Sequence, residues 1–297
     1  MSNFREKIEK EILAKREKLS PNSVKTYISI LFNLHKKLAK ENDDDLDWFN
    51  HNEKEIFENL KEKTSQTRKS ILSALYILTG KEEYKTQMLV DCKLVNDNYK
   101  NQKMDTKQKE NWIDVDEIHK IYDDLRIEVK QIFASKKVMN YETIMSFFLV
   151  ALLGGINGLA PRRSLDYGLM KIRNYNTDTD NYFRNGKFYF NVYKTADKYG
   201  LQVIDCPTEL NTLIKRWIKI NTYYDYLLFS KNGNHLSSSQ ITRILNKVFG
   251  KNVSTDMLRH FYLTNKYKNL PALKDMENTA TEMGHSLNTA LQYIKHE

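Results

Sequence analysis

The chain has little cysteine: 2 residues in 297, Cys92 and Cys206, far apart, outside any CxxC pair and without metal-ligand spacing. That usage fits a reduced, intracellular protein, in the cytoplasm or nucleus of a host cell. Long hydrophobic runs are also missing. The longest, IMSFFLVALLGGI at 144–156, falls short of the roughly 20 residues that cross a bilayer and contains two adjacent glycines, so it reads as a buried helix. The N-terminal stretch MSNFREKIEKEILAKREK is charged throughout and lacks the apolar core of a secretion signal. No P-loop, carboxylate cluster or His/Cys ligand set stands out, so nothing points to ATP or a metal as cofactor.

What is present is an ordinary globular balance, 40% hydrophobic and 29% charged, with an excess of positive charge, +9. The positive surface favours an anionic partner, nucleic acid first. The length allows two domains or one large one.

The first hundred residues read as a small helical bundle. SPNSVKTYISILFNLHKKLAKEN starts with Ser20 as N-cap and Pro21 at the first helical position, and puts Val24, Tyr27, Ile28, Leu31, Leu34 and Leu38 on one face. Lys25, Lys36 and Lys37 stand opposite, either a solvated face or phosphate contacts. DDDLDW at 43–48 breaks the pattern and NEKEIFENLKEK supplies a short helix. TSQTRKSILSALYILTG has Thr64 as cap and Gly80 as stop, buries Ile71, Leu72, Leu75 and Leu78, and holds Arg68 and Lys69 near its start as candidate DNA contacts.

From about 96 to 112 the sequence is polar, lysine-rich and without apolar periodicity. It divides the chain into a helical domain at 1–100, a linker at 101–112 and a second domain at 113–297. The second domain opens with helices at about 114–136 and 140–154. KFYFNVYKTADKYGLQVIDCP, 187–207, then reads as an antiparallel hairpin whose polar turn holds Asp197 and Gly200. Helices resume in TELNTLIKRWIKIN and SSSQITRILNKVFG. The expected fold class is mainly α with a small antiparallel sheet.

Four stretches of the second domain carry chemistry: NGLAPRRSLDY with Arg162 and Arg163, YKTADKYG with Lys194 and Lys198, STDMLRHFYLTN with Asp256, Arg259 and His260, and MGHSLNTALQY with His285 and Tyr293. In this order and at these separations they resemble the tyrosine recombinase family, the integrases of phages, mobile elements and large DNA viruses. The resemblance covers about 112–297 and is most specific in LRHFYLT, MGHS and the tyrosine that follows. It implies a core-binding-like N-terminal bundle and a catalytic domain that cleaves and rejoins double-stranded DNA, acting as a homotetramer on two duplexes. It also implies a 3′-phosphotyrosyl intermediate with a free 5′-hydroxyl, which retains the energy of the broken bond and needs neither ATP nor metal.

By that resemblance Arg163, Lys194, Arg259, His285 and Tyr293 are the catalytic set. A neutral phenol is a poor nucleophile, so Tyr293 requires cations around the phosphate and an acceptor for its proton. Two guanidinium groups match the charge that gathers on the nonbridging oxygens. A lysine on a hairpin can protonate the 5′-oxygen, with Lys194 favoured over Lys198 because the family's lysine directly precedes Thr. Arg162 and Arg163 compete for the first position. The family's motif has an acidic residue three after its first arginine, and Asp166 in that place favours Arg163, leaving Arg162 to contact DNA or lie in a surface salt bridge.

The family usually carries His three residues before its second arginine, where this chain has Asp256. On a helix Asp256 shares a face with Arg259, and it either caps that helix or holds Arg259; His260 is rotated about 100° away. His35, His51, His119 and His235 have no comparable context and read as surface or packing residues. Two alternative activities remain: a type IB topoisomerase, with the same cleavage chemistry, and a DNA-binding protein in which Asp256 marks a decayed site.

Overall fold

A computed structural model describes residues 2–39, 44–135, 139–284, 286–291 and 293. It divides into two compact units, 1–103 with 271–297, and 104–270. The sequence assigned 271–297 to the second domain; by its contacts that segment groups with the first unit. The fold is mainly helical with one three-stranded antiparallel sheet.

The first unit is built from α1 (Ser2–Lys15), α2 (Pro21–Leu38), α3 (Trp48–His51), α4 (Glu53–Leu60), α5 (Ser65–Thr79) and α6 (Glu82–Lys100). The start of α2 is fixed where expected: the Ser20 side chain accepts the Ser23 N–H with Pro21 in the first turn. Helix α5 begins on the Thr64 side chain and stops at Gly80, which is left-handed with φ 75°. Phe4, Ile8 and Ile12 of α1 meet Val24, Ile28, Leu31 and Leu34 of α2 and Leu72 and Leu75 of α5 in one core. Tyr84 of α6 is fully buried and donates its hydroxyl to the Phe49 carbonyl at 2.9 Å. Helix α6 was not expected, and the polar stretch from 96 is partly its exposed last turn.

Arg68 differs from its expected role as a DNA contact. Its Nε lies 3.1 Å from both oxygens of Asp91, its Nη2 lies 2.5 Å from Oδ1, and its Nη1 donates to the Lys63 carbonyl. Asp91 is fully buried. A buried carboxylate needs a paired cation, and this arginine supplies it. Lys25 and Lys36 stay exposed on α2, and Lys69 is half-buried on α5.

Within the segment expected as linker, α7 (Thr106–Glu110) forms on a capping box between Asp105 and Gln108. The second unit continues with α8 (Val115–Ala134) and α9 (Tyr141–Leu153), then a 3-10 turn at Ile156–Gly158, α10 (Ser164–Gly168), β1 (Tyr182–Arg184), β2 (Lys187–Phe190), α11 (Ala196–Tyr199) and β3 (Gln202–Asp205). It closes with α12 (Thr208–Ile220), α13 (Ser238–Phe249) and α14 (Thr255–Lys266). Helix α9 is the expected buried helix, every residue from Ile144 to Leu153 lying inside. The sheet runs β1-β2-β3, with Phe183 opposite Phe188 and Phe188 opposite Ile204 on its inner face.

The hairpin of β2 and β3 forms as the sequence indicated, and β1 is an addition. It joins β2 through Asn185 and Gly186, both with positive φ, 52° and 76°. An Asn-Gly pair is what such a tight turn prefers.

After α15 (Leu273–Glu282) and α16 (Leu287–Leu291) the chain reaches Tyr293. Lys100 pairs with Glu277 at 3.1 Å, and the Gln102 side chain accepts the Leu273 N–H at 2.9 Å. Among the described residues no helix is long and apolar enough to cross a membrane. No group of three or more His, Cys, Asp or Glu among them is placed to hold a metal ion.

Arg68→Ala would leave the Asp91 carboxylate buried without its cation, a change worth about 3–5 kcal/mol. Urea unfolding of the variant is expected to show a loss of that order. A loss of DNA affinity at unchanged stability would return Arg68 to the DNA-contacting surface.

Candidate active site

Two local features hold the arginine-bearing segments of the second unit together. Helix α14 starts on the Ser254 side chain, which accepts the Met257 N–H at 3.3 Å, and buries Met257, Leu258 and Phe261. Phe261 meets Trp112 edge-on with ring centroids 4.6 Å apart. Just past α9, Gly155 has φ 76°, and a Cβ there would lie 2.6 Å from the Tyr262 ring. Glycine thus lets α14 approach the chain that leads into Arg162 and Arg163.

Arg163 is the residue before α10, in extended conformation, and its side chain is exposed. Arg259 stands on α14 with its side chain about one-third exposed, 35%. Both line one polar cleft of about 210 Å³, together with Arg162, Asp166 and Gln202 and with Tyr193, Thr195 and Tyr199 of the hairpin loop. The structure therefore brings Arg259 together with Arg162 and Arg163, far from it in the sequence.

Arg162 turns inward. Its Nε donates to Asp166 at 2.9 Å and its Nη1 to the Gln202 side chain at 2.7 Å. Its guanidinium lies 4.0 Å from the Phe190 ring centroid and 5.1 Å from that of Tyr193. Asp166 is buried, and burial pushes its carboxyl above the usual carboxylate range, against the opposing pull of the two neighbouring arginines. Arg162 was expected to contact DNA or lie in a surface salt bridge; it forms a salt bridge, but a largely buried one.

Lys194 was expected on the hairpin. Strand β2 ends at Phe190, and Lys194 lies beyond it, exposed, in the turn before α11. The ladder stops because Asn191 and Val192 bond elsewhere. The Asn191 side chain donates to the carbonyls of Thr177 and Asp180, and Val192 exchanges two hydrogen bonds with the Asn181 side chain. Tyr193 closes the loop by donating its hydroxyl to the Gly200 carbonyl at 2.6 Å. Lys198 is exposed on α11, its ammonium 5.1 Å from the Tyr199 ring centroid.

Asp256 is in the first turn of α14 and is not its cap, which is Ser254. Its Oδ1 accepts from Arg259 Nη1 at 3.0 Å, and its Oδ2 is 3.5 Å from His260 Nε2. The carboxylate holds Arg259, the second of the two roles expected for it, and also reaches His260.

In the MGHS stretch Gly284, with φ 73°, follows the end of α15, and the Ser286 side chain accepts the Thr289 N–H at 3.2 Å where α16 begins. His285 lies outside the described residues. Tyr293 follows α16 in a turn, 62% exposed, its N–H bonded to the Ala290 carbonyl at 3.0 Å, and is described with the first unit.

No protein-family model matches the chain, and no curated protein matches it either. Solved structures are similar to it over nearly their whole length. One is XerA recombinase, at 13% identity, covering 99% of this chain and 94% of that one with a TM-score of 0.37. A second is XerH site-specific recombinase bound to difH substrate, at 16% identity, with coverage of 99% and 93% and a TM-score of 0.39. A third is the Tn1549 transposon integrase in complex with circular intermediate DNA, at 14% identity, 98% and 95% coverage and a TM-score of 0.46.

Sequence reasoning missed Tyr193, Gln202 and Asn181, which hold the cleft's hairpin wall. Gln202 had no signal of its own, because its position under Arg162 follows from its pairing with Phe190 across the strands.

The Asp256 pair is solvent-exposed and close in sequence, so it adds little stability, and Asp256→Ala is expected to cost less than about 1 kcal/mol. Removing a carboxylate beside Arg259 is expected to raise affinity for duplex DNA, measured by fluorescence anisotropy at fixed salt. A fall in affinity would show that Asp256 favours DNA binding in another way.

Proposed function

We propose that this chain is a site-specific DNA recombinase or integrase of the tyrosine recombinase kind, cleaving and rejoining double-stranded DNA through a 3′-phosphotyrosyl link. The observation that carries the reading is the convergence of Arg163 and Arg259 on one cleft walled by the loop that holds Lys194. Two fixed guanidinium groups in a cleft of this size suit the nonbridging oxygens of one phosphodiester. The net charge of +9 favours the polyanion as a whole.

In this mechanism the Tyr293 oxygen attacks the scissile phosphorus, its phenolic proton passing to a base. The bond from phosphorus to the 5′-oxygen breaks as Lys194 gives that oxygen a proton. Arg163 and Arg259 hold the charge that builds between the two events. His285 joins the oxygen contacts or assists proton transfer, as the family resemblance implies. Rejoining runs the same steps in reverse with a 5′-hydroxyl as nucleophile. The phosphotyrosyl link keeps the bond energy, so neither ATP nor metal enters the scheme. Pairwise exchange between two duplexes calls for a homotetramer on DNA.

Covalent trapping tests the reading. Nicked suicide duplexes from the ends of the encoding element are incubated in EDTA, quenched in SDS and resolved on a denaturing gel beside Tyr293→Phe. The expected result is a protein–DNA adduct that the variant lacks. No adduct on DNA that is separately shown to bind would make the chain a DNA-binding protein without this chemistry. An adduct with relaxation of supercoils and no synapsis would make it a type IB topoisomerase.

A further inference from the structure

We propose that Arg162 is a positioning residue for this reaction, its buried guanidinium tying the turn that presents Arg163 to the hairpin loop that presents Lys194. The inference rests on the recombinase reading and adds a residue which that reading leaves outside the chemistry.

The geometry is that of a clamp. One edge of the guanidinium donates to Asp166 in α10, and a second donates to Gln202, the first residue of β3, across 40 positions of sequence. Its face covers Phe190, the last residue of β2, and reaches Tyr193, which directly precedes Lys194. Both ends of the Lys194 loop therefore rest on one rigid, planar group. The Arg162 side chain borders the cleft but is only 15% exposed, and its Nε and Nη1 are already engaged by Asp166 and Gln202, which leaves it little room to serve an outside phosphate.

A second tie joins the same two elements. Asn181, 1% exposed, donates to the Asp166 carbonyl and exchanges two bonds with the backbone of Val192. With Asn181 holding the base of the loop, Arg162 orients its upper part. Lysine could pair with Asp166, but its point charge cannot also make an in-plane bond to Gln202 and stack on two rings.

A group that acts by aiming a general acid has a chemical signature that plain loss of stability lacks. When the scissile 5′-oxygen is replaced by sulfur, the thiolate leaves without the proton an alkoxide needs, so an acid becomes unnecessary. The test compares Arg162→Lys, Gln202→Ala and Lys194→Ala on suicide duplexes with the normal and the 5′-bridging phosphorothiolate linkage. DNA affinity is measured in parallel.

Arg162→Lys and Gln202→Ala are expected to slow normal cleavage about tenfold to a hundredfold with affinity unchanged. On the sulfur substrate both are expected to return to within about threefold of the parent, as Lys194→Ala does. A deficit that persists on sulfur, or no deficit at all, would overturn the proposal. So would failure of sulfur to rescue Lys194→Ala, which removes the acid that Arg162 is said to aim. Should Arg162→Lys fail to fold, half-exposed Gln202 decides alone. Absence of any adduct from the parent protein on either linkage would be a failure of the recombinase reading instead.

Discussion

A guanidinium taken largely out of water needs a countercharge and hydrogen-bond partners, and the cleft of the second unit depends on how Arg162 finds them. Asp166 supplies the charge, Gln202 a further acceptor, and the rings of Phe190 and Tyr193 a surface to lie on. A buried pair of this kind contributes modestly to stability, because desolvation offsets most of the attraction; the upward push on the Asp166 carboxyl reflects that cost. What the pair does supply is geometry, since it has few other satisfactory arrangements. Arg163 inherits its exposed position from being the next residue.

The opposite wall of the cleft is set by packing. Helix α14 is pinned by Phe261 against Trp112 and by Tyr262 against Gly155, so Arg259 stands on a rigid element and only its side-chain tip is adjustable. Asp256 limits that adjustment by holding one of the two terminal nitrogens, Nη1. On the proposed reading, a phosphate in the cleft would meet one arginine placed by its backbone and one restrained through its side chain. Such preorganisation favours the charge of a transition state without reorganisation at the moment of reaction.

Much of this was legible in the residues where the signal is local. The caps at Ser20 and Thr64, the stop at Gly80, the buried run of α9 and the second hairpin all follow from side chains acting on their own neighbourhood. Helix α6 was hidden because its buried residues, Tyr84, Asp91 and Val95, share the helix with exposed Leu89, Val90 and Leu94, which blurs the apolar stripe. Strand β1 did have a signal, Asn185-Gly186, but offers only three residues before it. For Arg162 a salt bridge was one of two readings and its burial was not legible; the pairing of Arg68 with Asp91 was not legible at all. Adjacent arginines look alike in a sequence, and only the place of Asp166, Gln202 and Asp91 in three dimensions separates a structural guanidinium from one offered to solvent. Tyr293 and His285 rest on sequence context and the family resemblance it supports.

In the proposed reaction Arg163 and Arg259 serve one phosphate. The most direct measurement is a crystal structure of the Tyr293→Phe variant on a duplex containing its cleavage site. Nitrogens of both guanidinium groups are expected at about 3 Å from nonbridging oxygens of a single phosphate, with Arg162 still on Asp166. Arg163 and Arg259 on different phosphates, or Arg162 released to take the place of Arg163, would contradict it.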